Sequence, residues 1–380
     1  MTVNKELYER YKAMKAAKLA AAQKNETEKP KTGFGALSQT EKSIKEEQVS
    51  YETSSETPQQ TTQTTPACAT EQMFIQNDIP QPPLNETPVA NSTVQSNENN
   101  LKKFALIGYP LGHSLSKYIH EAGFKSIGIN ATYEILETKP EDLSERIKYL
   151  RSNGYTGFNV TIPLKLPVTM FLDEVDASAN TVNAINTAYI DPQTHFIKGF
   201  NTDAAGFKNA IPNDISLFGK TVGILGTGGA ARAAICALAT YQVKEMKIYT
   251  RNVANSIEFM EYLRKTFPKI EFNSYQIDRI RDLSKINFLV NATPIGMQGH
   301  ASGYTPVEEQ ELQTLPADAV VYDVIYNPKK TLFIKLAQKH NYRTITGMDM
   351  LIYQAVEAQK IWTGRVPDFK DMKIAALENL

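Results

Sequence analysis

At 380 residues the chain is long enough for two domains of roughly 100–150 residues, each with its own core. Lys and Arg (41) balance Asp and Glu (41), so no net charge recommends nucleic acid or an anionic membrane as partner. Cys68 and Cys236 make neither a disulfide framework nor a metal site, no apolar run approaches the ~20 residues of a membrane span, and the N-terminus has no signal-peptide core, which together point to a soluble, cytoplasmic chain. Residues 2–23 set Leu7, Tyr8, Tyr11 and Met14 among lysines, the pattern of a short amphipathic helix, docking segment or frayed end. Over 25–100 Thr, Gln, Ser, Glu, Asn and Pro dominate. Such a segment buries too little surface to offset its ordering entropy and is expected to be disordered.

Regular patterning begins at Lys102. Strands are predicted over 104–108, 131–136 and 157–162, with helices over 116–127 and 140–152 between them, which is the alternation of an α/β domain. After Asp203 comes Gly219-Lys-Thr-Val-Gly-Ile-Leu-Gly-Thr-Gly-Gly-Ala-Ala-Arg232, an apolar strand, a glycine turn and an alanine-rich helix start. Gly226, Gly228 and Ala231 stand in the G-x-G-x-x-A register, in which the backbone turns sharply and its N–H groups approach a pyrophosphate at a helix N-terminus. The competing reading is a tight βα turn with no ligand. A second strand over 245–252 follows at the expected distance and ends in Thr250, Arg251 and Asn252. An acidic side chain there would suit a ribose hydroxyl; the guanidinium of Arg251 suits a 2′-phosphate and points to NADP, unless it is an ordinary solvated arginine. Further strands are predicted over 286–291 and 319–325, with helices over 330–340 and 348–362, the last packing back across the domain junction.

Four short constellations carry the chemistry. Ser114 and Ser116 follow a strand and could both donate to one carboxylate, or one of them caps the next helix. His113 and His120 have no further metal ligands near them in sequence, so structural roles are expected and no metal site. Lys165 lies just beyond Pro163, where an ammonium in a partly dry cleft can exchange a proton near neutral pH; a plain surface lysine is the alternative. Ala184-Ile-Asn-Thr187 and Gly199-Phe-Asn-Thr-Asp203 are each expected to end a strand with an amide and a hydroxyl. Asp203 could hold Lys165 while Asn186 bonds substrate hydroxyls, or it could serve as the N-cap of the helix that follows.

From about Phe104 to Gly364 the chain resembles the shikimate dehydrogenase family. The motifs in order are His113-Ser-Leu-Ser116, Asn159-Val-Thr-Ile-Pro-Leu-Lys165, Ala184-Ile-Asn-Thr187, Asn201-Thr-Asp203, Gly226-Thr-Gly-Gly-Ala-Ala231, Asn291-Ala-Thr-Pro-Ile-Gly-Met297, Asp323-Val-Ile-Tyr-Asn-Pro328 and Gly347-Met-Asp-Met-Leu-Ile-Tyr-Gln354. The resemblance implies NADPH-dependent, reversible reduction of 3-dehydroshikimate to shikimate, a step of aromatic amino-acid biosynthesis. Lys165 and Asp203 would form the proton-transfer pair. Ser114 and Ser116 would bind the ring carboxylate with Tyr326, while Thr161, Lys165, Asn186, Asp203 and Gln354 would hold the ring. Gly226, Thr227, Gly228, Gly229 and Ala230 would face the pyrophosphate, Arg251 the 2′-phosphate, and Thr293, Val324 and Gly347 the nicotinamide half.

The implied fold is two α/β domains: a substrate-binding domain over 101–202 completed by 347–380, and a Rossmann-type NADP domain over 203–346, preceded by the extension 1–100. Three features depart from the family. Lys117 stands where proline often follows the second serine, Asn255 where a second basic residue usually follows Arg251, and the extension is absent from the common form. A quinate/shikimate dehydrogenase using NAD is the nearest alternative, and a ligand-sensing regulator without turnover is the rival from another class. The expected partner is a small molecule, with neither nucleic acid nor membrane; homodimer formation stays open.

Overall fold

The computed structural model describes residues 101–380 apart from His113, Arg281 and His300, and the backbone alone at Asn255. The helix expected over 2–23, the disorder expected over 25–100 and the reading of His113 lie outside the described residues. Two six-stranded sheets organise the rest. The first contains β1 (Lys102–Gly108), β2 (Ala131–Glu137), β3 (Tyr155–Val160), β4 (Glu174–Val175), β5 (Thr187–Ile190) and β6 (Ile197–Phe200), in the order β2-β1-β3-β5-β6-β4. β1 runs parallel to β2 and β3, whereas β5 runs antiparallel to both of its neighbours. Helices α1 (Ser116–Ser126) and α2 (Leu143–Ser152) make the crossovers that parallel strands need. Phe104, Ala105, Leu106 and Ile107 are all buried, so β1 is covered on both faces, as its unbroken apolar run requires.

Short helices α3 (Ala177–Val182) and α4 (Asp203–Asn209) lead into the second sheet. Its strands β7 (Thr221–Leu225), β8 (Glu245–Thr250), β9 (Glu271–Gln276), β10 (Phe288–Asn291), β11 (Val320–Asp323) and β12 (Arg343–Thr346) are ordered β12-β11-β10-β7-β8-β9. Every pairing is parallel. Read from β9, this is the doubly wound Rossmann order, whose chain reversal lies between β7 and β10. Helices α5 (Gly229–Ala239), α6 (Ile257–Thr266), α7 (Glu309–Leu312) and α8 (Leu332–Lys339) connect these strands. Ala231, Ala234 and Ile235 of α5 share one core with Val222 and Ile224 of β7, because alanines let helix and sheet approach closely.

The strand expected over 157–162 starts two residues earlier and stops at Val160. There the chain turns: Thr161 N–H still donates to the Ile107 carbonyl at 2.9 Å, but Leu164 N–H folds back onto the Thr161 carbonyl at 2.8 Å. The last long helix, α9 (Gly347–Thr363), joins both sheets, and α10 (Phe369–Glu378) follows it. Met350 enters the core of the second sheet, Ile352, Ala355 and Val356 pack on Leu115 and Ile119, and Ala358 and Trp362 pack beside Phe104 and Phe124. Trp362 stacks on Phe104 with ring centroids 4.7 Å apart and donates Nε1–H to the Ala188 carbonyl at 2.9 Å. Truncating a buried side chain of this size costs about 3–5 kcal/mol, enough to fix where α9 ends.

Candidate active site

The site is built where the ends of the two sheets meet. In the second sheet, β7 runs into Gly226, whose φ of +108° is a conformation that L side chains rarely adopt. A Cβ there would also come 3.1 Å from the Ala292 carbonyl and 3.2 Å from Thr293 Cγ2, so the turn lies flush against the segment leaving β10. Gly228 is the flanking residue of α5 and faces open space, and the first turn of this eleven-residue helix holds no acidic side chain. Its free N–H groups and partial positive charge therefore suit an anion, and the room at Gly228 lets a pyrophosphate approach the backbone of Thr227, Gly229 and Ala230. Arg251 is exposed at the end of β8, one strand over from Gly226. Its carbonyl accepts Gln276 Nε2–H at 2.9 Å, which ties this end of β8 to β9. The residues fit a dinucleotide bearing a 2′-phosphate.

Thr293 and Val324 follow β10 and β11. Thr293 Oγ1–H donates to Asn291 Oδ1 at 2.7 Å, and Asn291 Nδ2–H donates to Asp323 Oδ1 at 3.1 Å. Asp323 is fully buried and also accepts Thr331 Oγ1–H at 2.6 Å and Ile325 N–H at 3.1 Å. Burial pushes its carboxyl up to about 6, against the pull of those donors. The Asn291–Asp323–Thr331 cluster thus braces two loops at once. Gly347 starts α9 beside Val324, whose carbonyl approaches too closely for any Cβ at that position. Tyr326 packs against the core cluster that includes Leu115 and Met348, and its burial raises the phenol above its ordinary range.

Lys165 reaches the site from the loop after β3. Its carbonyl accepts Ile185 N–H at 2.8 Å, and its Nζ donates to Asp203 Oδ2 at 2.5 Å. The two side chains are 16% and 8% exposed, so this ion pair is shielded from water on most sides. Asp203 is the first residue of α4, and Thr202 rather than Asp203 flanks the helix. Its second oxygen, Oδ1, accepts Asn186 Nδ2–H at 2.8 Å. Asn186 is buried and precedes β5 instead of ending a strand. Its Oδ1 accepts Thr202 N–H at 2.7 Å. A Cβ on Gly229 would come within 3.1 Å of Lys165 Cδ, so the lysine lies directly on the glycine turn.

Ser114 Oγ accepts Ser116 N–H at 3.3 Å, and both side chains keep partial exposure. Thr161 is partly exposed beside Gly108. Gln354 contacts Gly206, one turn along α4 from Asp203, and its Nε2–H donates to the Leu351 carbonyl at 2.8 Å. His120 is buried against Tyr133, with ring centroids 4.3 Å apart, and burial lowers it to about 3, so it is neutral in the working range. Among the described residues no group of three or more His, Cys, Asp and Glu is placed to hold a metal ion. Thr187, Thr202 and Asp323 belong to the site's hydrogen-bond frame, and sequence reasoning gave them no role. Their neighbours in the motifs were visible, but nothing in a string of letters shows which polar residues face inward.

Two family models match the chain, one described as the shikimate dehydrogenase substrate binding domain over residues 106–188 and one as the shikimate 5′-dehydrogenase C-terminal domain over 347–377. Shikimate dehydrogenase (NADP+) of Halothermothrix orenii is 38% identical over 276 residues, which is 71% of this chain and 94% of that one. A crystal structure of shikimate dehydrogenase in complex with NADP+ superposes with a TM-score of 0.67 at 36% identity, covering 73% of this chain and 95% of the other. Shikimate 5-dehydrogenase from Thermus thermophilus, in complex with NADP(H) and shikimate, gives 0.63 at 31% identity and covers 73% and 100%.

Proposed function

The chain belongs to the shikimate dehydrogenase family, and on that basis we propose that it catalyses the reversible, NADPH-dependent reduction of 3-dehydroshikimate to shikimate in aromatic amino-acid biosynthesis. The observation that carries this reading is the Lys165–Asp203 ion pair lying on the glycine turn. A proton donor and a dinucleotide cradle in contact are what reduction of a ketone requires.

Bound NADPH would supply hydride to the ketone carbon. Lys165 Nζ–H gives its proton to the ketone oxygen as that oxygen gains charge, and in the reverse direction takes it back. Asp203 holds the ammonium in place through Oδ2, while Asn186 Nδ2–H fixes the other carboxylate oxygen. Ser114 and Ser116 bind the ring carboxylate with Tyr326, and Thr161, Asn186 and Gln354 hold ring hydroxyls. Polar groups aimed at particular hydroxyls also reject analogues that lack them. Gly226, Thr227, Gly228, Gly229 and Ala230 hold the pyrophosphate, Arg251 the 2′-phosphate, and Thr293, Val324 and Gly347 the nicotinamide half. In this division of labour residues 101–202 with 347–380 serve the substrate and 203–346 the cofactor. The chain works in the cytoplasm, and sedimentation of the purified protein reads whether it pairs with a second copy.

Loss of reduced-nicotinamide absorbance, followed with 3-dehydroshikimate and each cofactor in turn, tests the reading. Turnover with NADPH well above that with NADH is expected. Equal use of NADH, or preference for the quinate couple, would replace this reading by the quinate/shikimate alternative, and no turnover with either cofactor would leave a sensor.

A further inference from the structure

Tyr133 lies on β2, is 1% exposed, and donates its phenol O–H to Asn159 Oδ1 at 2.7 Å. The direction of that bond is fixed by what lies beyond it. Asn159 Nδ2 faces the Asn186 backbone carbonyl at 3.2 Å, a group that can only accept, and Thr187 Oγ1 at 3.0 Å. Its Oδ1 must therefore be the atom turned to Tyr133, and the phenol must be the donor. Asn186 is oriented by the same logic. Its Oδ1 receives the Thr202 backbone N–H, which can only donate, so Nδ2 is turned to Asp203 Oδ1. Thr187 links the two amides, accepting from Asn159 and donating to Asn186 Oδ1 at 3.1 Å. A backbone group thus sets the polarity at both amides, and the buried chain reads in one direction from phenol to carboxylate.

We propose that Tyr133 is a positioning residue for proton transfer: its O–H locks the Asn159 amide, which through Thr187 and Asn186 aims the Asp203 carboxylate at Lys165. The role rests on the functional reading above. Burial holds the phenol protonated, so it stays a donor at every working pH. Without it, Asn159 Oδ1 loses this donor, and the amide cannot turn to recover one without giving up its bonds to Asn186 and Thr187. The carboxylate then keeps its lysine and its bond from Asn186, but the frame behind Asn186 is looser by one hydrogen bond.

Tyr133→Phe removes one oxygen and keeps the ring against His120. In NADPH-oxidation assays with 3-dehydroshikimate, kcat is expected to fall about fivefold to fiftyfold, the worth of one buried hydrogen bond, while KM for NADPH changes by less than about twofold; the phenol also reaches the Ser116 side chain, so KM for 3-dehydroshikimate is not part of the signature. In an Asp203→Ala background the same change should lower kcat no further, because its route of action is already gone. Thr187→Val breaks the chain one step closer to Asp203 and should give the same signature; it decides the matter if Tyr133→Phe does not fold. A kcat within about twofold of wild type, or an equal loss in both backgrounds, overturns the positioning role. A wild-type protein that fails to turn over NADPH with 3-dehydroshikimate overturns the functional reading, and this role with it; normal wild-type turnover beside an unaffected variant overturns the role alone.

Discussion

Gly229 and Lys165 touch across the junction of the two sheets, the glycine as first residue of α5 and the lysine from the loop after β3, with no room for a Cβ unless Lys165 Cδ gives way. Any such shift is passed on to the ion pair, because the lysine's far end is held by Asp203. Gly229 is thus favoured by the tight space beside it, and not by a left-handed backbone.

Gly229→Ala accordingly tests whether that contact matters to catalysis. The added methyl pushes Lys165 a few tenths of an ångström along its stem and loosens the ion pair. Displacement of a reacting group on that scale should lower kcat about tenfold or more, with little change in thermal stability because α5 gains an alanine over a glycine. Unchanged kcat at saturating NADPH would show that the lysine tolerates the shift.

Lys165→Met keeps most of the stem's apolar contact and removes the proton. Loss of a positioned general acid should cut kcat about 10²- to 10⁴-fold, with a smaller change in substrate KM. Asp203 would be left with no ammonium, 8% exposed and still bonded to Asn186. Turnover near that of wild type in stopped-flow and steady-state assays would remove Lys165 from the proton-transfer step.

Arg251→Ala addresses cofactor choice. An exposed guanidinium that clamps a 2′-phosphate contributes through charge-assisted hydrogen bonds worth about 1.5–3 kcal/mol, so KM for NADPH should rise about tenfold to a hundredfold while KM for NADH stays nearly constant. Added salt should narrow the wild-type preference, since the site is open to counterions. Equal shifts for the two cofactors would refute the clamp. Asn255 in place of a second base makes this the sharper test, because Arg251 stands without that help in the sequence.

Much of the architecture can be read from the letters because burial leaves long apolar runs. Phe104 to Ile107, Phe288 to Val290 and Val320 to Tyr322 are strands covered on both faces, and each is visible as such. β5 and β12 are four-residue strands that mix Thr and Arg with apolar residues, too short for any period to emerge. The glycine turn announces itself, since residues other than glycine rarely take the backbone angle at Gly226. Asp203 does not, because an acid at a helix start has the same local pattern whether it caps the helix or faces a lysine 38 positions away. Tyr133, Asn159 and Thr187 are farther from view still. Their bonds span 26 and 28 positions and depend on which strands neighbour one another, in what register, and so on which faces the three side chains share.

Asp323 carries a pH signature that can be measured apart from catalysis. Burial raises its carboxyl to about 6, while in the unfolded chain it titrates near about 3.9. Between those values the folded protein holds a proton that the unfolded chain has released, so folding stability falls as pH rises from about 4 to about 6 and the loss is complete above that. Two units correspond to about 3 kcal/mol at most. Asp323→Asn has no proton to lose. It surrenders an acceptor facing Thr331, a cost that does not vary with pH. Urea melts of both proteins at pH steps from about 4 to about 8 should therefore show wild type losing stability relative to the variant as pH rises, with most of the change complete by about pH 7. Parallel curves across that range would mean that the buried carboxylate is ionised in the folded protein at no cost, its charge fully balanced by Thr331, Asn291 and the Ile325 N–H.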